Sequence, residues 1–376
     1  MSRVLLLCLL ICFKAEAQTS ALSVADSLYA HGKYSQAITV YKSDTLNPAT
    51  NLKIAKSYEA IGNYDKALKY YQKGLTKHNL LSRFNYVKLL FKTKQYTLAK
   101  SQLEALIALD SVNPNYHYQL GVILEATNDT TAINKYQTAY KLDSTHQKAI
   151  YKIARELVKT RQFDKANKVI DEGLMEYANN ISLISLKAQN LYYKEYYEQA
   201  QQWFHKLLDL GEQSEFIYEK LSLCYAKNFH YKEAITYRQK TLKYNPQNAN
   251  AMFVIGSYYE QLQDYENAKK YIEQALLIKD QPLDFEYQKL AMVYNRLKKY
   301  DKAIDAYKKA IKEDPDRVDI HFFMLLSKER YYADIDAKIK LYEDFIKRFP
   351  NEKNFVRIAN RRLQELKEEK FMSETD

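Results

Sequence analysis

Seven histidines, 46 acidic side chains and three cysteines are the groups on this 376-residue chain from which a reaction centre or a metal site could be built. A metal cage needs several of them at ligand spacing, and acyl or phosphoryl chemistry needs a nucleophile, a base and oxyanion donors that converge. The histidines are His31, His78, His117, His146, His205, His230 and His321, with no pair at ligand spacing and no zinc-protease pattern around them. There is no Gly-rich phosphate loop either. Carboxylates are so numerous that proximity between any two carries no information. The expectation is therefore a chain that is not an enzyme, with no catalytic residue, no metal ligand and no cofactor, and with its histidines at surfaces or interfaces. What the composition offers is recognition chemistry: 35 Tyr and 15 Phe set among 57 Lys and Arg.

The cysteines depend on how the N-terminus is read. Arg3 precedes an apolar run from Val4 to Phe13, and Ala15-Glu16-Ala17 supplies small residues where a signal peptidase reads them. Ten apolar residues span only about half of a bilayer core, which needs roughly 20. Residues 1–17 thus read as an export signal cleaved after Ala17, which makes the chain periplasmic or secreted. Ile11 before Cys12 and Leu7 before Cys8 argue against a lipoprotein, for which a small residue is expected there. Cleavage leaves Cys224 as the one thiol, so no internal disulfide is expected, and its setting in Leu221-Ser222-Leu223-Cys224-Tyr225 reads as a small buried hydrophobe.

Few turns can be built with seven Gly and six Pro, which favours helices joined by short loops. A phrase recurs along the chain: an aromatic, two polar residues, Ala, then a large residue four positions on. Tyr34 to Ala37 and Tyr41, Tyr64 to Ala67 and Tyr71, and Tyr300 to Ala303 and Tyr307 are instances. The marker alanines stand at 37, 67, 99, 132, 166, 200, 234, 268, 303 and 337, a period that settles at 34. Twelve residues before most of them comes a small residue, as at Ala25, Ala55, Ala154, Ala188, Ser222, Gly256 and Ala291, with a bulky one three positions later. Small opposite large is the condition for two helices to approach closely, so each period reads as one helix-turn-helix unit.

This pattern resembles the tetratricopeptide repeat family, in which a small residue marks the first helix, an aromatic opens the second, an alanine follows and a proline ends the unit. The likeness runs from about residue 20 to 350. It implies an all-α, right-handed superhelical solenoid of about ten repeats over 18–350, closed by a capping helix in 351–376 with Phe355, Ile358, Ala359, Leu363 and Leu366 on one face. Departures fall in the fourth unit, which is a residue short and lacks the aromatic, at Arg238, where an apolar residue is expected, and at Leu325, where a small one is.

The resemblance also implies where binding would occur, since first helices of such repeats line a concave groove. One lining position lies three residues before the small residue and here holds Phe84, Tyr118, Tyr151, Phe253 and Phe322. Neighbouring positions hold Lys88, Lys92, Lys148, Arg155, Lys159, Gln189, Tyr192, Tyr193, Asn295 and Arg296. Rings beside cations suit a peptide that offers apolar anchors and carboxylates. No unit combines a lysine at the aromatic position with an asparagine four residues on, the clamp by which family members hold chaperone tails. The expected function is a protein-interaction scaffold of the cell envelope, with a protein or peptide partner and no nucleic acid. The formal charge of +11 supports a second reading, a binding module for an anionic polymer or lipid surface, with peripheral envelope association.

Overall fold

The structure is a computed structural model and describes residues 22–76, 79–279 and 283–375. The expected export segment 1–17, its cleavage point and His78 lie outside the described residues. Among the described residues the fold is all-helical, and the chain divides into two compact units that meet in sequence between Leu186 and Lys187.

The first unit is a series of helical hairpins. These are α1 (22–30) with α2 (Tyr34–Tyr41), α3 (Pro48–Ala60) with α4 (Tyr64–Gly74), α5 (Leu80–Lys92) with α6 (Tyr96–Leu109), α7 (Pro114–Ala126) with α8 (Ala132–Leu142), and α9 (Gln147–Lys159) with α10 (Phe163–Glu176). A short 3-10 turn, Lys42–Asp44, follows α2. Helix α11 (Ile181–Tyr193) begins in this unit and ends in the second, where α12 (Tyr197–Asp209) follows it. The second unit continues with α13 (Glu215–Lys227), α14 (Tyr231–Thr241), α15 (Ala249–Gln261), α16 (Tyr265–Ile278), α17 (Asp284–Arg296), α18 (Tyr300–Glu313), α19 (Val318–Tyr331), α20 (Ile335–Arg348) and the terminal α21 (Lys353–Thr375).

Local chemistry explains where these helices begin. Asn47, Asn63, Asn79, Asn113, Ser214, Asn248, Asp264 and Asp334 each stand at an N-cap and accept a hydrogen bond from a backbone N–H of the first turn. Pro48 and Pro114 occupy the first helical position, where a missing N–H costs nothing. Within the hairpins, except α19/α20, the first helix ends on a left-handed residue. Gly62 N–H donates to the Glu59 carbonyl at 3.0 Å and Asn63 N–H to Tyr58 at 2.9 Å, closing the turn. Glycine supplies that residue only at Gly32 and Gly62. Lys94, Asn128, Arg161, Glu195, Phe229, Gln263 and Lys298 take the same conformation, with φ between 57° and 66°. Most lie five residues before the marker alanine, but Asn128 lies four before Ala132, where the fourth repeat is a residue short.

The marker alanines from Ala37 to Ala303 are buried at the hairpin contacts, and Ala337 in the tenth is only half-buried. That tenth hairpin is the one where the bulky Leu325 replaces the small residue. How close the helices come is set at Gly256, where an added Cβ would lie 2.7 Å from Ile272 Cγ1 and 3.0 Å from the Ala268 carbonyl oxygen. Much of the tyrosine is core. Tyr41, Tyr71 and Tyr342 are almost wholly buried, and their hydroxyls donate to Asp26, Glu59 and Glu329 respectively, so each ring is buried without stranding its polar end. Arg238 is likewise buried, beside Glu219 at 3.4 Å.

Two histidines prove structural. His117 and His321 are buried and bond the carbonyls of Ser111 and Pro315, six residues upstream, at 2.8 and 3.1 Å. Asn51 makes the same tie to Thr45. All three stand four residues before the first-helix position taken by Ala55, Gly121 and Leu325, so they pin the incoming loop to its helix.

Candidate functional site

The first-helix side chains expected to bind sort differently once their neighbours are known. On α5, Lys88 Nζ lies 4.5 Å from the centre of the Phe84 ring and Lys92 Nζ lies 4.5 Å from that of Tyr64. The hydrogen bond with Tyr64 holds the Lys92 ammonium above its ordinary pKa. Phe84 also packs on Tyr116, at 5.1 Å between ring centres. Tyr118 on α7 is half-buried between Tyr136 and His146, at 5.6 and 5.2 Å, and burial, with Glu125 nearby, raises its pKa. Tyr151 is half-buried on α9.

Arg155 is not a free cation. It pairs with Glu125, which also accepts from Lys152 Nζ at 2.6 Å and from the Tyr136 hydroxyl at 2.5 Å. Burial would raise the Glu125 pKa, but hydrogen bonds from Lys152, Tyr136 and Arg155 outweigh it and bring the carboxyl to about 2. Lys159 is exposed and 3.9 Å from Glu156.

In the second unit, Phe322 must be removed from the expected binding surface. It is 5% exposed and packs on Phe345 and Phe355 at 5.4 and 5.1 Å, because α21 covers α19 and turns that position into core. Phe253 faces Phe285 at 5.8 Å. Asn295 donates to Ser327 Oγ at 2.9 Å, and Arg296 is exposed beside it. Gln189 is half-buried.

Tyr192 and Tyr193 become part of a site. Their rings meet edge to face at 5.5 Å, and Tyr192 meets Tyr197 at 5.7 Å. Lys220 of α13 reaches over them, its Nζ 4.8 Å from Tyr192, 6.0 Å from Tyr193 and 5.7 Å from Phe216. Tyr193 is 50% exposed and Phe216 38%, so the rings are open to a ligand. Burial raises the Tyr192 pKa, which keeps the phenol neutral, and it lifts the thiol of adjacent Cys224 to about 12, which keeps that sulfur unreactive.

Neither Lys220 nor Phe216 was among the residues that spacing selected, yet the repeat carried a signal for Lys220. A lysine stands two residues before the small position at Lys53, Lys152, Lys220 and Lys289. Three of them reach a carboxylate of the preceding repeat: Lys53 pairs with Asp26 at 2.7 Å, Lys152 with Glu125 and Lys289 with Glu260, both at 2.6 Å. Glu125 and Glu260 stand four residues after their small residues. In the sixth repeat that place, four after Ala188, is Tyr192. Lys220 therefore meets a ring where its counterparts meet an anion, and among the described residues no carboxylate is within ion-pair distance of it.

Nothing in this arrangement brings a nucleophile and a base together, and among the described residues no group of three or more His, Cys, Asp or Glu stands where it could hold a metal ion. Among the same residues no helix is long and apolar enough to cross a membrane.

Tetratricopeptide repeat models match residues 50–78, 249–282 and 286–317, the hairpins α3/α4, α15/α16 and α17/α18. The chain therefore carries tetratricopeptide repeats in both units. No curated protein matches it. Among solved structures it is similar to YrrB, described as a tetratricopeptide repeat protein with an unusual peptide-binding site, at 18% identity over 52% of this chain and 97% of that one, TM-score 0.46. It is also similar to a tetratricopeptide repeat protein from Parabacteroides merdae, at 14% identity over 66% and 99% of the two chains, TM-score 0.44. A third is yeast Tom70, at 14% identity over 95% and 97%, TM-score 0.37.

Proposed function

We propose that this protein is an exported interaction scaffold of the cell envelope that holds an acidic peptide segment of a partner protein at Lys220, Tyr192, Tyr193 and Phe216. The observation that carries this reading is the exchange of a carboxylate for Tyr192, which leaves one lysine of an otherwise paired column held by rings alone. An ammonium over aromatic faces gains about 0.5–1 kcal/mol per exposed contact, which orients it without neutralising it. A carboxylate placed on it would form a charge-assisted hydrogen bond, and flanking apolar side chains would cover Tyr193 and Phe216. Tetratricopeptide repeats are interaction modules, which supports a binding role for the array. Export rests on the apolar run from Val4 to Phe13 and the small residues Ala15 and Ala17.

A photo-crosslinking residue at position 193 of the full chain, used against native envelope fractions, tests this. A discrete protein partner captured with Lys220 intact and lost with Lys220→Met supports the site. Capture of the same partner by both proteins moves the binding surface elsewhere, and recovery of lipid or glycan alone overturns the protein-scaffold reading.

A further inference from the structure

A second concentration of charge lies at the other end of the sequence, in the first unit. Lys42, at the 3-10 turn after α2, and Lys66, Lys69 and Lys73, along one face of α4, line a single pocket of about 540 Å³ with Tyr58, Tyr70 and Gln72. Its aromatic wall is the stacked pair Tyr58 and Tyr70, 5.6 Å apart and 25° from parallel. Three of the ammonium groups rest against that wall: Lys42 and Lys66 at 5.8 and 5.5 Å from the Tyr58 ring, and Lys73 at 5.3 Å from Tyr70.

The anions that would ordinarily quench such a group are engaged elsewhere. Asp26 takes Lys53 and the Tyr41 hydroxyl, Glu59 takes the Tyr71 hydroxyl at 2.9 Å, and Asp44 takes Thr50 at 3.0 Å. Asp65 is one turn from Lys69 on α4 but does not line the pocket. Among the described residues no carboxylate is within ion-pair distance of any of the four. Where Lys53, Lys152 and Lys289 each reach a carboxylate, these four ammonium groups line one concavity without one. Like charges lining one pocket repel one another, and a multivalent anion would reverse that term.

We propose that this pocket is a receptor for a phosphate-type dianion. One carboxylate presents two oxygens and a single charge, too little for the four lysines that line the pocket. A phosphoryl group presents three oxygens and up to two charges at neutral pH. Such a group reaches the pocket either as a soluble phosphate or as the phosphomonoester of a lipid headgroup, and the chemistry of capture is shared. The site is independent of the Lys220 site, because it uses no residue of the second unit.

The test uses the full chain, with inorganic pyrophosphate in one arm and, in the other, phosphatidylcholine vesicles with and without phosphatidic acid. Lys66→Gln/Lys69→Gln/Lys73→Gln is compared with an isoelectric control, Lys227→Gln/Lys232→Gln/Lys243→Gln, which removes three exposed lysines of the second unit. Helical content by circular dichroism establishes that both variants fold. Loss of on the order of 100-fold in affinity for the first variant, roughly five-fold per ammonium, with little change for the control, supports the pocket. Lys42→Gln, from a separate element, should lose about five-fold. Loss with pyrophosphate identifies a soluble ligand, and loss confined to vesicles identifies a headgroup. Equal losses in both triple variants, or no binding of either probe by the unaltered chain, overturns the proposal.

Discussion

Replacing Gly256 by alanine sets two physical effects against each other. Alanine in a helix interior is favoured over glycine by about 1 kcal/mol, so an unobstructed site would be stabilised. Position 256 is obstructed: the new methyl would stand 2.7 Å from Ile272 Cγ1, 3.0 Å from the Ala268 carbonyl oxygen and 3.2 Å from the Ile272 amide nitrogen. Ile272 is fully buried and the other two atoms are backbone, so no flexible side chain can relieve the overlap. Relief requires α15 and α16 to separate, an overpacking cost of roughly 1–3 kcal/mol. The net is a destabilisation of up to about 2 kcal/mol despite the propensity gain. Global melting is a poor reporter, because repeat arrays unfold in parts. Amide hydrogen exchange resolved to α15 and α16 reads the effect directly: protection there should fall by as much as roughly 30-fold, while α3 and α4 stay unchanged. Unchanged or increased protection in α15 would refute the claim that helix approach at this repeat is limited by the missing side chain.

Glu125 should make the first unit acid-sensitive. Its folded pKa of about 2 lies below the unfolded carboxylate value, so its contribution is present above roughly pH 4.5 and is lost as pH falls toward 2. Glu125→Gln should flatten that part of the stability profile and cost on the order of 1 kcal/mol at neutral pH, the rest being screened by the water that reaches its exposed third. Phe229 holds φ at 63° with its ring 77% exposed, so Phe229→Gly should stabilise the α13/α14 hairpin by up to about 1 kcal/mol. Phe229→Ala, which retains the Cβ, should show no such gain when both are followed by denaturant unfolding.

Periodicity made the architecture legible because an α-helical hairpin leaves a mark at fixed offsets. Ala67, Ala166 and Ala268 are buried where the spacing placed them, and Asn128 turns the chain four residues before Ala132 rather than five where the repeat is short. The same periodicity could not rank the binding residues. It reports which side chains share a face of one helix, but Arg155 is neutralised from the preceding repeat by Glu125 and Phe322 is covered by α21. Both depend on what lies across a gap of about 30 residues in sequence. Comparing columns of the repeat rather than single positions would have exposed Lys220, because the loss of its counter-ion is written as Tyr192 where Glu125 and Glu260 stand in other repeats.

The distribution of partners also changes what the net charge of +11 means. A diffuse basic coat would bind any polyanion weakly and release it with salt. Here first-helix cations such as Lys53, Lys152, Arg155 and Lys289 are spent on carboxylates that tie one repeat to the next. Two places gather unpaired charge beside rings: one ammonium among three rings at Lys220, and four around one pocket at Lys42, Lys66, Lys69 and Lys73. The first arrangement rewards a single anion flanked by apolar groups and resists salt through ring burial, whereas the second rewards charge density and gives way to salt. Ionic strength therefore separates the two surfaces within one molecule, and a ligand retained on the full chain at high salt belongs to the aromatic site.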